Sequence, residues 1–135
     1  TGSPEIATPA LSGNPTGTVT SGTYSPTLTN TTNVDASTTA AAQYMRVGNV
    51  VTVSGSFQVD VTSANAATDI GISLPIASDF AATNQCAGGV WGGATVIEVM
   101  PIQADITNNR AQVTGICGNI STNHTVSYSF TYLIV

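Results

Sequence analysis

Apolar and polar side chains alternate most strictly at the end of the chain. Val126, Tyr128, Phe130, Tyr132 and Ile134 fall on one face of residues 124–134, and Thr125, Ser127, Ser129 and Thr131 on the other. A period of two is the signature of a half-buried β-strand. The same period returns upstream. Ile102, Ala104, Ile106, Ala111, Val113 and Cys117 share one face, while Asp105, Thr107, Arg110, Gln112 and Thr114 share the other. Asn108-Asn109 between those runs tolerates positive φ and predicts a tight hairpin.

Residues 39–47 and 50–62 flank Gly48-Asn49, a dipeptide suited to a two-residue hairpin turn. That loop sets Val47 opposite Val50, Arg46 opposite Val51 and Tyr44 opposite Val53. Tyr44, Arg46, Val51, Val53, Phe57 and Val59 then share a face, and Met45, Val47 and Val50 lie on the reverse. Both faces are partly apolar, which predicts that both are covered. Further strands are expected at 23–29, interrupted by Pro26, at 69–74, ending at Pro75, and at 93–100, ending at Pro101. Residues 36–42 are the one place for a helix. The expectation is an all-β fold, an antiparallel, jelly-roll-like β-sandwich over residues 23–135. Residues 1–22, dense in Pro and Gly, read as an extended linker or stalk connection.

Charge alters this picture by its scarcity. Charged residues are 7% of the 135, the net charge is −5, and Arg46 and Arg110 are the only strong bases. A nucleic-acid surface needs a basic footprint and an anionic membrane needs a basic patch, so neither partner is expected. No run approaches the length of a membrane-spanning helix.

Candidate chemistry is sparse. The single histidine, His124, opens the last strand and reads as a surface residue, and the seven acids are scattered. No zinc spacing, EF-hand, phosphate loop or nucleophile elbow occurs, so no catalytic residue, metal or cofactor is expected. A glycosidase pair remains open, because sequence does not show carboxylate separation. Cys86 and Cys117 stand as either a disulfide or two buried thiols. Three Asn-x-Ser/Thr triplets, at Asn30, Asn119 and Asn123, are of a kind expected by chance in a chain this rich in those residues.

The stretch Gly88-Gly89-Val90-Trp91-Gly92-Gly93 holds the only tryptophan. Read as a loop over residues 86–93, it makes Trp91, flanked by Gly89 and Gly92, a stacking platform for a sugar ring. The alternative is that Trp91 plugs one end of the sandwich.

The chain from Ser21 onward resembles the C-terminal β-domain of tailed-bacteriophage tail-fibre and other virion appendage proteins. The residues that carry the likeness are 21–30 (SGTYSPTLTN), 44–55 (YMRVGNVVTVSG), 72–78 (ISLPIAS), 109–112 (NRAQ) and 128–132 (YSFTY). The resemblance implies a non-enzymatic virion-surface module, a homotrimer, with other virion proteins met through the N-terminal segment. It leaves two roles open, attachment to a host-cell glycan or other receptor and a purely structural role such as capsid decoration. A glycan-degrading appendage is the third. Tyr44, Arg46, Val51 and Val53 are the residues expected at the subunit interface.

Overall fold

The computed structural model describes residues 18–92, 99–118 and 124–135. Ten strands follow in order: β1 (Val19–Tyr24), β2 (Leu28–Thr32), β3 (Val34–Thr39), β4 (Ala42–Val47), β5 (Val50–Val61), β6 (Ala66–Ile72), β7 (Cys86–Gly92), β8 (Val99–Asp105), β9 (Arg110–Cys117) and β10 (His124–Leu133). Every pairing between them is antiparallel. Among the described residues, helix is limited to the single turn Thr83–Gln85. The fold is all-β and antiparallel, as the alternation predicts.

One sheet runs β1-β4-β5-β10-β7-β8-β9-β6-β2, with β3 joining the far half of β5. Laid flat, nine strands at ~4.8 Å spacing would hold β1 and β2 roughly 38 Å apart. Ser25-Pro26-Thr27 joins them in the chain and reaches only about a third of that distance. The sheet must therefore curl until its two ends approach, and it forms a half-barrel, a sandwich-like arrangement whose walls are continuous. Contacts across the seam hold it there. Tyr24 Oη donates to Ser73 O at 3.0 Å, Thr27 N donates to Ser73 Oγ at 2.8 Å, and Asn33 Nδ2 donates to Ser63 O and Thr68 Oγ1, both at 2.9 Å.

Curling is made by large rings facing glycines. Tyr44 stands opposite Gly22, Tyr128 opposite Gly55 and Phe130 opposite Gly88. A Cβ at Gly55 would lie 2.6 Å from Tyr128 Oη. At Gly88 it would collide with the Ser129 carbonyl oxygen and stand 2.6 Å from Phe130. The rings fill the space that the missing side chains leave and form a file through the core. Phe57 to Tyr128 is 5.7 Å between centroids, Tyr128 to Phe130 6.0 Å, Phe130 to Tyr132 6.1 Å, and Tyr132 to Phe80 6.0 Å. Val51, Val53, Val59, Ile70, Ile72, Val90 and Val113 complete the buried layer. The Tyr128 hydroxyl is buried without a well-formed hydrogen bond, though the Tyr24 hydroxyl is close enough to interact with it. Burial pushes the Tyr128 pKa up to about 12, against a small lowering from Tyr24.

Residues 73–85 close one end of the barrel. Phe80 enters edge-on to Tyr132, whose hydroxyl donates to Ile76 O at 2.7 Å and accepts from Ile76 N at 3.2 Å. Ser78 Oγ donates to Leu133 O at 2.8 Å. Asn109, at φ 51°, pins the same segment by accepting from Phe80 N at 2.9 Å and donating to Asp79 Oδ1 at 3.0 Å.

The first hairpin has the expected register, with Gly48 at φ 61°. Several other sequence expectations need correction. β1 begins at Val19 and pairs with β4, so residues 19–22 belong to the sheet rather than to a linker. Residues 1–17 lie outside the described residues. The strand expected at 23–29 is two strands at opposite ends of the sheet path, parted by buried Pro26. Residues 34–39 form β3, not a helix. β8 passes through Pro101 rather than ending there. Residues 93–98, where that strand was expected to start, are outside the described residues.

The second hairpin has a four-residue loop, because Asp105 pairs directly with Arg110. Ile106 therefore leaves the core face and is 42% exposed. Asp105 organises this loop. Its Oδ1 accepts from Thr107 N and Asn108 N, both at 3.2 Å, and its Oδ2 accepts from Asn108 Nδ2 and Arg110 Nε, both at 2.8 Å. The last contact is the one ion pair among the described residues. Burial raises the pKa of this carboxyl, but the bonds from Asn108 and Arg110, with the Arg110 charge, outweigh it and hold it below the usual value.

Two predictions follow from packing and charge. Gly88→Ala should lower stability by about 2 kcal/mol through overpacking against backbone. Gly89→Ala should cost much less, since the nearest atom to its Cβ would be 3.7 Å away. Denaturant melts of the pair test this. Because the Asp105 pKa is depressed in the folded state, its contribution is complete above the ordinary carboxylate pKa and is lost as pH falls through the depressed value. Asp105→Asn should lower Tm by about 4 °C at neutral pH and by less under acid, read by calorimetry across pH.

Candidate functional site

The inner face takes the large side chains, so alternation fixes what the outer face of β4, β5, β10 and β7 presents. It can be read in rows across the strands. One row is Gln43, Ser54, Ser129 and Gly89, and the next is Ser56, Ser127 and Trp91. On the other side of the first lies Met45, Thr52, Thr131 and Ala87. Gln43 Nε2 donates to Ser54 Oγ at 3.0 Å, and the Thr52 and Thr131 hydroxyls share a hydrogen bond at 3.2 Å. The side chains of Ser56, Ser127 and Ser129 have no hydrogen-bond partner among the described residues.

β4 and β5 part at Ser54, and β5 takes up β3 from Phe57 onward. A shallow groove of about 480 Å³ opens over that fork. Thr23, Ala41, Gln43, Ser54, Ser56, Ser127, Ser129 and Trp91 line it, with Gly55 in its floor. Among the described residues no carboxyl or base lies in this lining. What remains is a wall of hydroxyls and one amide, bounded on one side by an indole.

Trp91 stands on β7, a strand paired on both sides, and not on a loop as the glycines suggested. The end-plug alternative does not hold either, since its side chain points outward at 48% exposure and Phe80 fills the closed end instead. Gly89 shares the outer face with Trp91. Gly92 alternates to the other side, beside Val126, and is not part of the groove. Sequence reasoning missed Gln43, Ser54, Ser56, Ser127 and Ser129. The signal was the polar half of the alternation, which pointed to a wet face but not to its meeting with Trp91.

The expected interface residues are placed differently. Val51 and Val53 are both 0% exposed within the chain's own core, so neither is left for a neighbour. Tyr44 packs edge-on to Tyr24 at 6.1 Å on the inner side. Arg46 is half-buried there and donates from Nε to Gly48 O at 2.6 Å. That carbonyl of its own turn is its one hydrogen-bond partner among the described residues, and neither Asp35 nor Asp60 pairs with it.

Cys86 and Cys117 are both buried and not joined. Cys86 opens β7 level with Ala104 and Ala111, and Cys117 lies six residues further along β9. That offset is roughly 20 Å along the strand, too far for a disulfide. Burial pushes the Cys86 thiol up to about 12, so it stays protonated and unreactive. Among the described residues no three His, Cys, Asp or Glu side chains gather as a metal site. No helix there is long and apolar enough to cross a membrane.

No protein-family model, curated protein or solved structure matches this chain.

The position of Trp91 gives a direct expectation. As the only tryptophan, it should show red-shifted emission that acrylamide quenches readily, in folded protein at neutral pH. Trp91→Ala should change stability by no more than about 1 kcal/mol, since the site is on the outer face.

Proposed function

We propose that this domain is a non-enzymatic attachment module on the surface of a bacteriophage virion, a tail or head fibre, that binds a host-cell glycan in the Trp91 groove. The observation that carries the reading is the pairing of a half-exposed indole with unpartnered serine hydroxyls on an uncharged face. A pyranose offers an apolar ring face and a rim of hydroxyls. The first suits an aromatic platform and the second suits Ser and Gln side chains. The resemblance of residues 21–135 to phage appendage domains supports the virion setting. It also supports a homotrimer whose N-terminal segment meets other virion proteins.

The second reading is a purely structural virion module, such as a capsid decoration or trimerisation domain. It is favoured by a cluster of exposed aliphatic side chains at the opposite end of the same face. Glycan cleavage has less support, because among the described residues no pair of carboxylates lines the groove.

Binding of fluorescently labelled domain to intact cells from a panel of bacterial strains, with glycan-stripped cells as control, tests the reading. Wild type should bind at least one strain in a glycan-dependent manner, and Trp91→Ala should weaken that binding about tenfold while melting normally. Binding that persists on stripped cells, or that is indifferent to Trp91, would reject the glycan groove.

A further inference from the structure

The outer face changes character along its strands. At the end away from Trp91, Val19, Val47, Val50 and Leu133 stand side by side across β1, β4, β5 and β10. Each points outward, with exposures of 54%, 49%, 46% and 41%. Met45, at 55%, adjoins the row one step along β4, and Val135, also at 55%, follows Leu133. This is a contiguous aliphatic patch four strands wide, with no charged side chain in it. Scattered exposed aliphatics are normal, but a contiguous set like this is characteristic of a contact surface.

A second observation concerns the edge beside it. β1 ends the sheet path, and among the described residues it pairs only with β4 and one side of its backbone is unmet. Its sequence, Val-Thr-Ser-Gly-Thr-Tyr, has no Lys, no Pro and no charge. Those are the usual devices that keep an exposed edge from pairing with another chain. The other end of the path is better guarded, since β2 lies beside β3 and Asn30 Oδ1 accepts from Ser37 Oγ across the gap. So among the described residues one edge is unguarded, and the aliphatic row runs up to it.

We infer that this row and the free edge of β1 form the contact between copies of this chain. The occupant is a second copy for two reasons. First, an open edge is met by another strand, and the chain's own edge supplies one of matching length and neutrality. Second, chains of net charge −5 approach each other at least cost through a face that carries no charge. Half-burial of six aliphatic side chains leaves apolar area on the order of 300 Å² to cover, enough for the core of a standard interface of about 800 Å² per partner. The contact is thus the reverse face of the first hairpin, not its Tyr44, Arg46, Val51 and Val53 side, and it goes beyond the appendage reading by naming a contact that closes at two copies.

Multi-angle light scattering of the whole chain at about 100 µM tests this. Wild type should run at twice 13.6 kDa, since an edge that pairs with the same edge of another copy closes at two, and a threefold mass would overturn this contact. Val47→Lys combined with Val50→Lys should fall to the monomer mass with unchanged far-UV circular dichroism, since both side chains are exposed. Gln58→Lys, on the same outer face but beyond the Trp91 row, should keep the wild-type mass. A wild-type mass of 13.6 kDa, whether the row faces solvent or residues 1–17 of the same chain, overturns the inference. So does a double variant that stays assembled. Glycan binding by a monomeric double variant would leave the groove reading intact, so the two proposals fail separately.

Discussion

A ring laid over a glycine on the next strand lets two backbones twist more tightly than a pair of ordinary side chains would allow, because no Cβ holds the ring away from the sheet. Gly22 under Tyr44, Gly55 under Tyr128 and Gly88 under Phe130 repeat this device on β1, β5 and β7. β1 and β2, joined by Ser25-Pro26-Thr27, can belong to opposite ends of one sheet only if it curls. The ring–glycine pairs provide the curvature that this short connection demands. With either missing, the aromatic file from Phe57 to Phe80 would have no enclosure to fill.

Once the rings occupy the inside, the chemistry of the outside is decided. The central strands β5 and β10 have one parity committed to Val, Tyr and Phe, so their other parity carries whatever the composition offers. Here that is mostly Ser, Thr and Gln, because only 7% of residues are charged. The outer face is thus polar without being ionic. Surface electrostatics adds little to stability, and the one ion pair among the described residues serves a turn rather than a site.

The sequence made much of this legible, and its failures have identifiable causes. Alternation identified the inner residues of β9 and β10, and Gly48-Asn49 gave the register of β4 on β5. The reading failed where glycine and proline were taken as punctuation. Gly88 and Gly89 lie inside a paired strand, the former because Phe130 needs its space and the latter because its face is open. Pro101 lies within β8. Pro26 separates strands that are far apart on the sheet path, which no local pattern reveals. Asn108-Asn109 was read as a two-residue loop because the Asp105 carboxylate, which ties up two backbone amides and selects the longer loop, acts through bonds that spacing does not display. The groove was hidden because it depends on Ser127 of β10 standing beside Trp91 of β7, a pairing between strands distant in the chain.

The same inward commitment explains why Arg46 and its neighbours are poor contacts for another molecule. Arg46 alternates to the core side, at the mouth of the barrel, where its guanidinium reaches the Gly48 carbonyl of its own turn. A half-buried guanidinium gains from a nearby acceptor, and one supplied by the turn that sets the hairpin register is formed as soon as the hairpin closes. The reverse parity is then free to be apolar at one end and hydroxylated at the other. From Leu133 to Ser127 along β10 is six residues, or roughly 20 Å. A molecule in the groove and a neighbour on the aliphatic row would therefore occupy the same strands without overlapping. The strands that join them are the most heavily paired in the sheet, so the groove is held on a rigid part of the fold. Loop motion is not needed to assemble it, and any selectivity must come from the fixed spacing of Trp91 and the serine hydroxyls.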